Sequence, residues 1–404
     1  MQKKTNTISI NLLLVLLLVL GVTFGAFNNT VNYIFLYLIM PIVFIYCFFT
    51  SQNTFKNYYV KVFLILVIWS CISTVIKSEN FDYSYNVLTS MIMTLMFCFS
   101  MIALAKKNER NITLFYLLIL SFYIVNWYYA IFHFDLLSAN ISLVVFDEQS
   151  LIYEKINANR WGYFTLFLTF ATFIYGELAQ SNKWRRNYRI IFLMFLLVVF
   201  FNALYTGSRQ VLILNIPLYF ILLFYRYKKT IFSPKIIIRI VVIIIFVIML
   251  GQRIKTTYEI SSIKNRFDST ILKEDARFHL MTKAFNYGIE NPIFGIGPGN
   301  MEFRENVISH CSYSEIFAET GIFGLFLYML IIFGCYLEQI KRYRETQDKV
   351  FLYFSIYTLF YALNNFFYVF YSWYLLMSIL FLITAHSDLY YEKKYPKAIL
   401  KSGL

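Results

Sequence analysis

The sequence predicts an all-α polytopic membrane protein, and three observations lead to this fold class. Of the 404 residues, 59% are hydrophobic and 14% are charged, whereas a soluble domain carries about 25% charged residues. The apolar residues form long runs, and the basic residues collect in short clusters between those runs. Because such a chain cannot cover its apolar surface in water, soluble enzymes, disordered chains and disulfide-rich domains are excluded.

The charge balance and the cysteines exclude two further classes of protein. The net charge of +14 is compatible with nucleic-acid binding, but the basic clusters form no single stripe, and their placement indicates membrane topology instead. The five cysteines include no CxxC pair. We therefore expect no nucleic-acid partner, no disulfide framework and no zinc site.

Twelve apolar runs approach the roughly 20 residues that a membrane-spanning helix needs. The first run follows Met1–Lys4 and has no convincing signal-peptide cleavage site, so we interpret it as a retained span. The sequence thus predicts about 12 transmembrane helices in a single integral membrane domain, residues 1–404. The runs are centred near Val15, Met40, Val67, Phe97, Ser121, Leu168, Val198, Leu218, Ile245, Met329, Leu359 and Leu376.

The basic residues predict the orientation of these helices. With the N-terminus in the cytoplasm, clusters such as Lys183–Arg189 and Arg226–Arg239 fall on the cytoplasmic side, as the positive-inside rule requires. Most of the other basic residues lie in a long loop, and long loops are translocated regardless of their charge. An even number of spans places both termini in the cytoplasm.

Two predicted extracytoplasmic loops, residues 133–159 and 252–318, are much longer than the usual connection of about 4 to 6 residues. We expect the second, between helices 9 and 10, to form part of the active site. Asn291-Pro292 ends a helical pattern within it, which predicts an amphipathic helix against the outer face of the bundle. The residues at helical spacing are Leu272, Ala276, Leu280 and Ala284.

Two arginines stand out from the apolar background. Arg209 lies close to the hydrocarbon edge, where a charge is unfavourable unless it is paired or faces water. It is either a functional residue or an arginine that reaches the lipid headgroups. Arg277 lies on the predicted loop helix, either as a functional residue or as part of a solvated face with local ion pairs. His279, two residues further, is interpreted as structural.

The segment Asn291–Asn300 contains glycines in G-x-G-x-G spacing, which matches neither a dinucleotide fingerprint nor a phosphate loop. It predicts a tight turn. Two interpretations stay open: a turn whose main-chain amides approach a ligand, and a simple turn that leads back to the membrane.

His310 precedes a predicted helix N-terminus, because Ser312 and Glu315 match the S-x-x-E capping box before an apolar run. The positive end of that helix favours a neutral imidazole, which can accept a proton from a hydroxyl. A purely structural histidine is the alternative. Cys311 is not expected to form a nucleophile pair with it, because adjacent side chains rarely face each other.

The predicted outer face gathers His310 and several guanidinium groups. Since guanidinium groups bind phosphate oxygens in pairs, the expected ligand is a lipid-linked phosphate or diphosphate. The arginines concerned are Arg160, Arg209, Arg277 and Arg304.

The order of these motifs along residues 157–324 resembles a known family, the bacterial O-antigen ligase and polymerase superfamily. Ser208-Arg209 is similar to its upstream arginine motif, Arg277 stands where the family tends to have an arginine, and Asn157–Arg160 is a weaker match. The main signature consists of Asn291–Asn300, His310, Tyr313, Glu315, Ala318–Gly321 and Gly324.

The resemblance implies a metal-independent glycosyltransferase that uses no cofactor. Its donor is undecaprenyl-diphosphate-linked glycan at the outer face of the bacterial cytoplasmic membrane, so the active site faces the periplasm or cell exterior. Wzy-type polymerases transfer the chain to the next lipid-linked repeat unit, and ligases transfer it to lipid A-core. We favour a polymerase, for O-antigen or capsule, because divergent, aromatic-rich sequences are typical of polymerases. Membrane lipids and a chain-length regulator are the further partners expected of it.

This reaction gives each candidate residue a role. Arg209 and Arg277 are candidates to stabilise the diphosphate that leaves the anomeric carbon. Neutral His310 is the candidate base or orienting acceptor for the attacking hydroxyl. Candidates for contacts with the diphosphate or sugar are Arg160, Arg304, Tyr313 and Glu315.

A transporter or lipid flippase is the main alternative, since twelve spans with both termini inside is also a common transporter layout. Transporters usually carry charged or helix-breaking residues near mid-membrane in two related halves. Here the halves show no evident symmetry, and the candidate residues lie on one face. A scaffold protein would not explain the outer arginines together with His310.

Overall fold

A computed structural model describes residues 10–25, 29–107, 111–112, 114–116, 166, 169, 173, 210–227 and 276–396. The chain forms two compact units, of which the first joins Met1–Phe122 to Ala276–Leu404 and the second is Tyr123–Asp275. The regular structure of the described ranges is entirely helical, in agreement with the predicted fold class.

The first unit contains most of the described helices. Before the second unit they are α1 (Ile10–Gly25), α2 (Asn29–Ile34), α3 (Met40–Thr50), α4 (Tyr58–Lys77) and α5 (Phe81–Lys107). The second unit contributes α6 (Ile216–Tyr227). After it follow α7 (Ala276–Glu290), α8 (Asn300–Glu305), α9 (Ser312–Thr346), α10 (Lys349–Asn364) and α11 (Tyr374–Lys394).

Five of the described helical segments are long and apolar enough to cross a membrane, and each coincides with a predicted span. They are Thr30–Thr50, Tyr58–Lys77, Phe81–Lys107, Ser312–Thr346 and Tyr374–Lys394. The runs near Val15, Leu218 and Leu359 form the shorter helices α1, α6 and α10. The runs near Val198 and Ile245 lie outside the described residues, as do most residues of the runs near Ser121 and Leu168. The chain is therefore a multi-pass membrane protein, and the number of twelve spans stays a prediction.

Local sequence explains where several helices begin. The side chain of Asn57 accepts the N–H groups of Tyr59 (3.0 Å) and Val60 (3.2 Å) and so caps α4. Asp348 caps α10 in the same way through Val350 N–H (3.1 Å). Such caps satisfy main-chain donors that lack partners in the first helical turn.

Helix α9 is the centre of the first unit, because it packs against α4, α7 and α10. Helix α7 corresponds to the predicted loop helix and ends directly before Asn291-Pro292. A small buried cluster joins α7, the following turn, α8 and α9. Its members are Ala284, Ile296, Met301 and Ala318, with Leu280 and Tyr287 packed against them.

Candidate functional site around the break in helix α9

Helix α9 is broken at Gly321. This residue has φ 70° and ψ −169°, a conformation that is essentially restricted to glycine. A Cβ atom here would lie 2.2 Å from the carbonyl oxygen of Ile293, so the main chain of the preceding turn occupies the space of a side chain. The break divides α9 into residues 312–320 and 322–346 and frees main-chain groups from their helical partners.

The turn of residues 291–300, the Gly-rich turn, satisfies these freed groups. Main-chain polar groups must be paired when no water is available, so the fit of the turn into the break stabilises both. Three hydrogen bonds join them: Ile296 N–H to Ala318 O (2.7 Å), Gly297 N–H to Glu319 O (3.0 Å) and Ile322 N–H to Pro292 O (2.8 Å).

Two side chains of α4 complete the pairing at the break. The indole Nε1–H of Trp69 donates to the carbonyl of Thr320 (2.8 Å), and the ring stacks on Phe294 with centroids 5.1 Å apart. The hydroxyl of Ser73 lies 3.0 Å from the carbonyl oxygen of Glu319 and 2.5 Å from that of Phe294. Helix α4 thereby holds both the turn and the break.

The amides of the Gly-rich turn are used within the protein. Besides the bonds at the break, Gly295 N–H donates to Asn291 O (2.8 Å) and Asn300 N–H to Gly297 O (3.2 Å), while Gly299 N–H donates to a side chain of α9. Of the two interpretations from sequence, a ligand-binding turn and a structural turn, these contacts support the structural one.

The side chain that accepts from Gly299 is Glu319, which is 1% exposed. Its Oε1 accepts the Gly299 N–H (2.7 Å), and its Oε2 accepts the hydroxyl of Tyr371 (2.6 Å). Sequence patterns gave Glu319 no role of its own. The signal was present nonetheless, because an acid inside an apolar run is a functional hypothesis by default.

Asn300 anchors the other side of the turn and was also missed. Its Oδ1 accepts the N–H groups of Glu79 (3.2 Å) and Asn80 (3.1 Å), in the connection between α4 and α5. Its Nδ2 donates to the carbonyl of Ile296 (2.9 Å). No pattern in the sequence could reveal these partners, because Glu79 and Asn80 lie more than two hundred residues earlier in the chain.

His310 lies in the short connection between α8 and α9, with its main chain in the left-handed region at φ 59°. The residue is half-buried, and its ring centroid is 6.3 Å from that of Tyr368. The neighbouring Ser309 is fully buried, and its N–H donates to Oε2 of Glu315 (2.5 Å). The His310 connection is thus fixed by Glu315.

The capping box predicted at Ser312 and Glu315 takes a different form. Helix α9 does begin at Ser312, with Cys311 as its N-cap. The Glu315 carboxylate, however, accepts from Ser309 rather than from Ser312. The Ser312 hydroxyl instead donates to Tyr368 O (2.8 Å) and accepts from Phe370 N–H (2.8 Å), which ties the start of α9 to the connection between α10 and α11.

Tyr313 lies in the first turn of α9 and faces α10. Its hydroxyl donates to the carbonyl of Ala362 (2.9 Å), and its ring lies 4.8 Å from that of Phe366. Tyr313 therefore lies close to His310 in the chain, and its hydroxyl already forms a hydrogen bond within the protein.

Arg304 lies on α8 and joins two other parts of the first unit. It forms an ion pair with Glu79, in which Nε donates to Oε2 at 3.0 Å, and its guanidinium carbon lies 4.7 Å above the ring of Tyr287. The hydrogen bond from Arg304 lowers the pKa of the Glu79 carboxyl below its ordinary value. The same bond raises the pKa of Arg304, which stays charged.

The next residue, Glu305, forms a second link to α7. Its Oε2 pairs with Lys283 Nζ (2.6 Å), and its Oε1 accepts the Tyr287 hydroxyl (2.6 Å). These two bonds, the one from Lys283 being the stronger, lower the pKa of the Glu305 carboxyl. Helices α7 and α8 are therefore joined by charges as well as by apolar packing.

The remaining candidates are spread over the chain. Arg277 lies at the start of α7 and is half-buried. Arg160 and Arg209 lie outside the described residues. The structure thus brings together His310, Tyr313 and Glu315 at the start of α9, with Arg304 on the adjoining α8, and the roles assigned to all seven residues stay predictions.

Part of the chain matches the model of a known protein family. Residues 192–329 match the model Wzy_C, which is described as O-antigen ligase. This range contains the Gly-rich turn, the break at Gly321 and every candidate residue except Arg160. No curated protein matches the chain significantly. Residues 192–329 are thus similar to the O-antigen ligase family, in agreement with the superfamily that the motifs of the chain resemble.

Proposed function

We propose that this protein is a surface-polysaccharide polymerase, which joins undecaprenyl-diphosphate-linked oligosaccharide repeat units. In this proposal it acts in the bacterial cytoplasmic membrane, with about 12 spans, both termini in the cytoplasm and residues 252–318 on the outer side. The observation that carries the proposal is the His310 connection, fixed at the start of α9 inside the segment that matches the O-antigen ligase family.

The proposed reaction is a transfer at the anomeric carbon of the donor sugar. A hydroxyl of the acceptor attacks this carbon, the bond to the undecaprenyl diphosphate breaks, and the diphosphate leaves with the bonding electron pair. His310 accepts or orients the proton of the attacking hydroxyl. Arg209 and Arg277 stabilise the negative charge that develops on the diphosphate, in the role that a metal ion has in other glycosyltransferases.

The candidates for contacts with the diphosphate or sugar are not equally well supported. Arg304 already pairs with Glu79, so it would contact a sugar or diphosphate only by sharing or exchanging that partner. The hydroxyl of Tyr313 bonds to a main-chain carbonyl, so it would contact a sugar only by exchanging that partner. Arg160 stays a candidate through its sequence position alone.

A ligase is the second candidate function, and the description of the matching family model favours it. Polymerase and ligase use the same donor and differ in the acceptor. In a ligase the attacking hydroxyl belongs to lipid A-core rather than to another lipid-linked repeat unit.

The test is a gel of surface polysaccharide and lipid-linked intermediates from a strain that lacks the gene. Loss of polymer, with lipid A-core that carries a single repeat unit, is expected in the deletion strain. Wild-type protein should restore the polymer and His310→Ala should not. His279→Ala is the matched control, because His279 is an exposed histidine of α7, and it should restore the polymer.

Two other outcomes would overturn this proposal. Bare lipid A-core together with polymer that stays on undecaprenyl diphosphate would identify a ligase. An unchanged polysaccharide pattern in the deletion strain would exclude both transferase functions and leave the transporter interpretation.

A further inference from the structure

Two buried carboxylates on α9 hold the chain segment that leads to His310. Glu315 is 3% exposed and Glu319 is 1% exposed. They are four residues apart, so they lie on the same face of the helix, one turn from each other. Glu315 accepts the N–H of Ser309 (2.5 Å), and Glu319 accepts the N–H of Gly299 (2.7 Å).

We propose that Glu315 and Glu319 are positioning residues that fix both ends of segment 299–309 on α9 and thereby set the location of His310. The inference rests on the proposed function, since it concerns the residue assigned there as base. A carboxyl oxygen accepts a hydrogen bond from a main-chain N–H group in either protonation state. A pair of such bonds is therefore well suited to hold a loop against a helix.

The contacts around Ser309 also restrain the main chain of His310. The Ser309 hydroxyl lies 3.0 Å from the carbonyl oxygen of Cys311 and 3.2 Å from its nitrogen. Ser309 thus bonds to Cys311, on the far side of His310, and closes a short turn in which His310 has φ 59°. Fixing the N–H of Ser309 on Glu315 consequently fixes the main chain of His310.

The side chain of Glu319 is itself held in place by a second hydrogen bond. Glu319 Oε2 accepts the hydroxyl of Tyr371, which lies between α10 and α11. Both oxygens of Glu319 are therefore engaged, and its conformation is determined by two different parts of the first unit. This argues that Glu319 supports the segment rather than contacting a substrate.

As a positioning residue, Glu315 differs in role from the substrate contact predicted for it from sequence. A residue that contacts a sugar or diphosphate needs an accessible oxygen, whereas Glu315 is buried and its Oε2 is bonded to Ser309. Its contribution to transfer is then the geometry of His310, which is lost when the acceptor oxygen is removed and retained when an uncharged acceptor replaces it.

The experiment compares alanine and glutamine variants at both positions in full-length protein reconstituted in lipid nanodiscs. The substrate is the lipid-linked repeat unit extracted from the deletion strain. Glu315→Ala and Glu319→Ala are expected to lower kcat by about 100-fold, the effect of a misplaced catalytic group, with little change in KM. Glu315→Gln and Glu319→Gln keep an acceptor oxygen and should recover most of the lost kcat.

Hydrogen–deuterium exchange provides a readout that does not depend on activity. Removing an acceptor should accelerate exchange roughly tenfold at the amide that it bonded, the equivalent of one lost hydrogen bond. Glu319→Ala should affect peptides that contain Gly299, and Glu315→Ala those that contain Ser309. Thr358→Val, which removes a buried hydroxyl of α10 away from this segment, is the matched control and should change neither.

The outcomes separate this inference from the proposed function. Active wild-type protein with unchanged exchange and kcat in the alanine variants would overturn the positioning role alone. Glutamine variants as inactive as the alanine variants would also overturn it, because the carboxylates would then act through charge or proton transfer. Wild-type protein without transfer activity would refute the proposed function, and the exchange data would still decide whether the carboxylates hold the segment. If the alanine variants do not fold, Tyr371→Phe serves instead and should accelerate exchange at Gly299.

Discussion

The two ends of α9 are held to their neighbours by different kinds of bond. At the N-terminal end, main-chain groups at the Gly321 break bond to the Gly-rich turn, and Glu315 and Glu319 accept main-chain N–H groups. At the C-terminal end the helix is continuous, and Arg342 pairs with Glu338 and with Asp388 of α11. The N-terminal end therefore depends on the path of the main chain, and the C-terminal end on the pairing of charged side chains.

The C-terminal contacts join four helices. Lys106 of α5 pairs with Asp388 (2.8 Å), and the hydroxyl of Tyr59 on α4 donates to Glu338 (2.7 Å). Each carboxylate here faces a basic group, whereas Glu315 and Glu319 accept hydrogen bonds from neutral main-chain and tyrosine donors. The C-terminal end of α9 thus stabilises the bundle as a whole, and the N-terminal end maintains a specific loop geometry.

The largest expected effect is that of Gly321→Ala, which tests the break directly. The left-handed main chain and the contact with Ile293 leave no space for a methyl group, so the free energy of unfolding should fall by about 4 kcal/mol. Thermal unfolding in detergent measures this. Gly334→Ala is the control on the same helix, where a Cβ would meet only the side chain of Tyr59, at 3.2 Å. Equal stability of the two variants would contradict the special role of the break.

Arg342→Met should have the next largest effect, at the other end of α9. It removes the positive partner of Glu338 and leaves Asp388 with Lys106 alone. Leaving the half-buried carboxylate of Glu338 without a cation should lower the free energy of unfolding by about 3 kcal/mol. Arg344→Met, at an exposed position, is the control. We expect the exchange of peptides around Gly299 and Ser309 to stay at the wild-type rate, and a change there would show that the two ends are coupled.

Asn300→Ala should have a smaller effect that is confined to the N-terminal end. It removes one acceptor of two N–H groups and one donor to Ile296, and the expected loss is about 2 kcal/mol. Denaturant unfolding followed by Trp fluorescence is suitable, because Trp69 lies at the break. Asn306→Gly, at an exposed position with φ 56°, keeps the main-chain conformation and should be close to neutral.

The smallest effect concerns the pH dependence of the link between α7 and α8. The pKa of Glu305 is lowered in the folded protein, so its contribution to stability is present above the ordinary glutamate pKa of about 4.3. This contribution is lost as the pH falls through the lower, folded pKa. Glu305→Gln should therefore destabilise the protein by at most about 1 kcal/mol near neutral pH, since solvent screens the pair, and by nothing in strongly acidic buffer.

Melting temperatures of wild-type and Glu305→Gln protein at both pH values test this prediction. Glu290→Gln, at an exposed glutamate of α7, is the matched control. A difference between wild-type and Glu305→Gln protein that persists in acid would mean that the hydrogen bond from Tyr287, rather than the charge, stabilises the link.

Local patterns in the sequence were sufficient for part of this architecture. Five predicted spans coincide with long apolar helices, Asn291-Pro292 does end a helix, and α9 does begin at Ser312. The spans and the end of α7 depend on neighbouring residues, through hydrophobic run length and proline stereochemistry, whereas the capping box that predicted the start of α9 does not form. The candidate positions near His310 were found through the same local motifs.

The break in α9 could not be predicted from the same patterns. A single glycine inside an apolar run is usually compatible with a helix, and Gly321 departs from helical geometry only because distant residues bond to the freed carbonyls. Trp69 and Ser73 precede that break by about 250 residues. The capping box predicted for Glu315 was wrong for a different reason, because its partner is Ser309, which lies in the preceding loop rather than at the first position of the helix.

The pairing of the Gly-rich turn with the break also restricts how the chain can change in length. Ile296 bonds to Ala318, Gly297 to Glu319 and Ile322 to Pro292, so one residue inserted between the bonded positions of either segment would shift these bonds out of register. A chimaera that takes 291–300 from one homologue would have to take 312–322 from the same homologue. The two segments are separated in the chain, yet they can be exchanged between homologues only together.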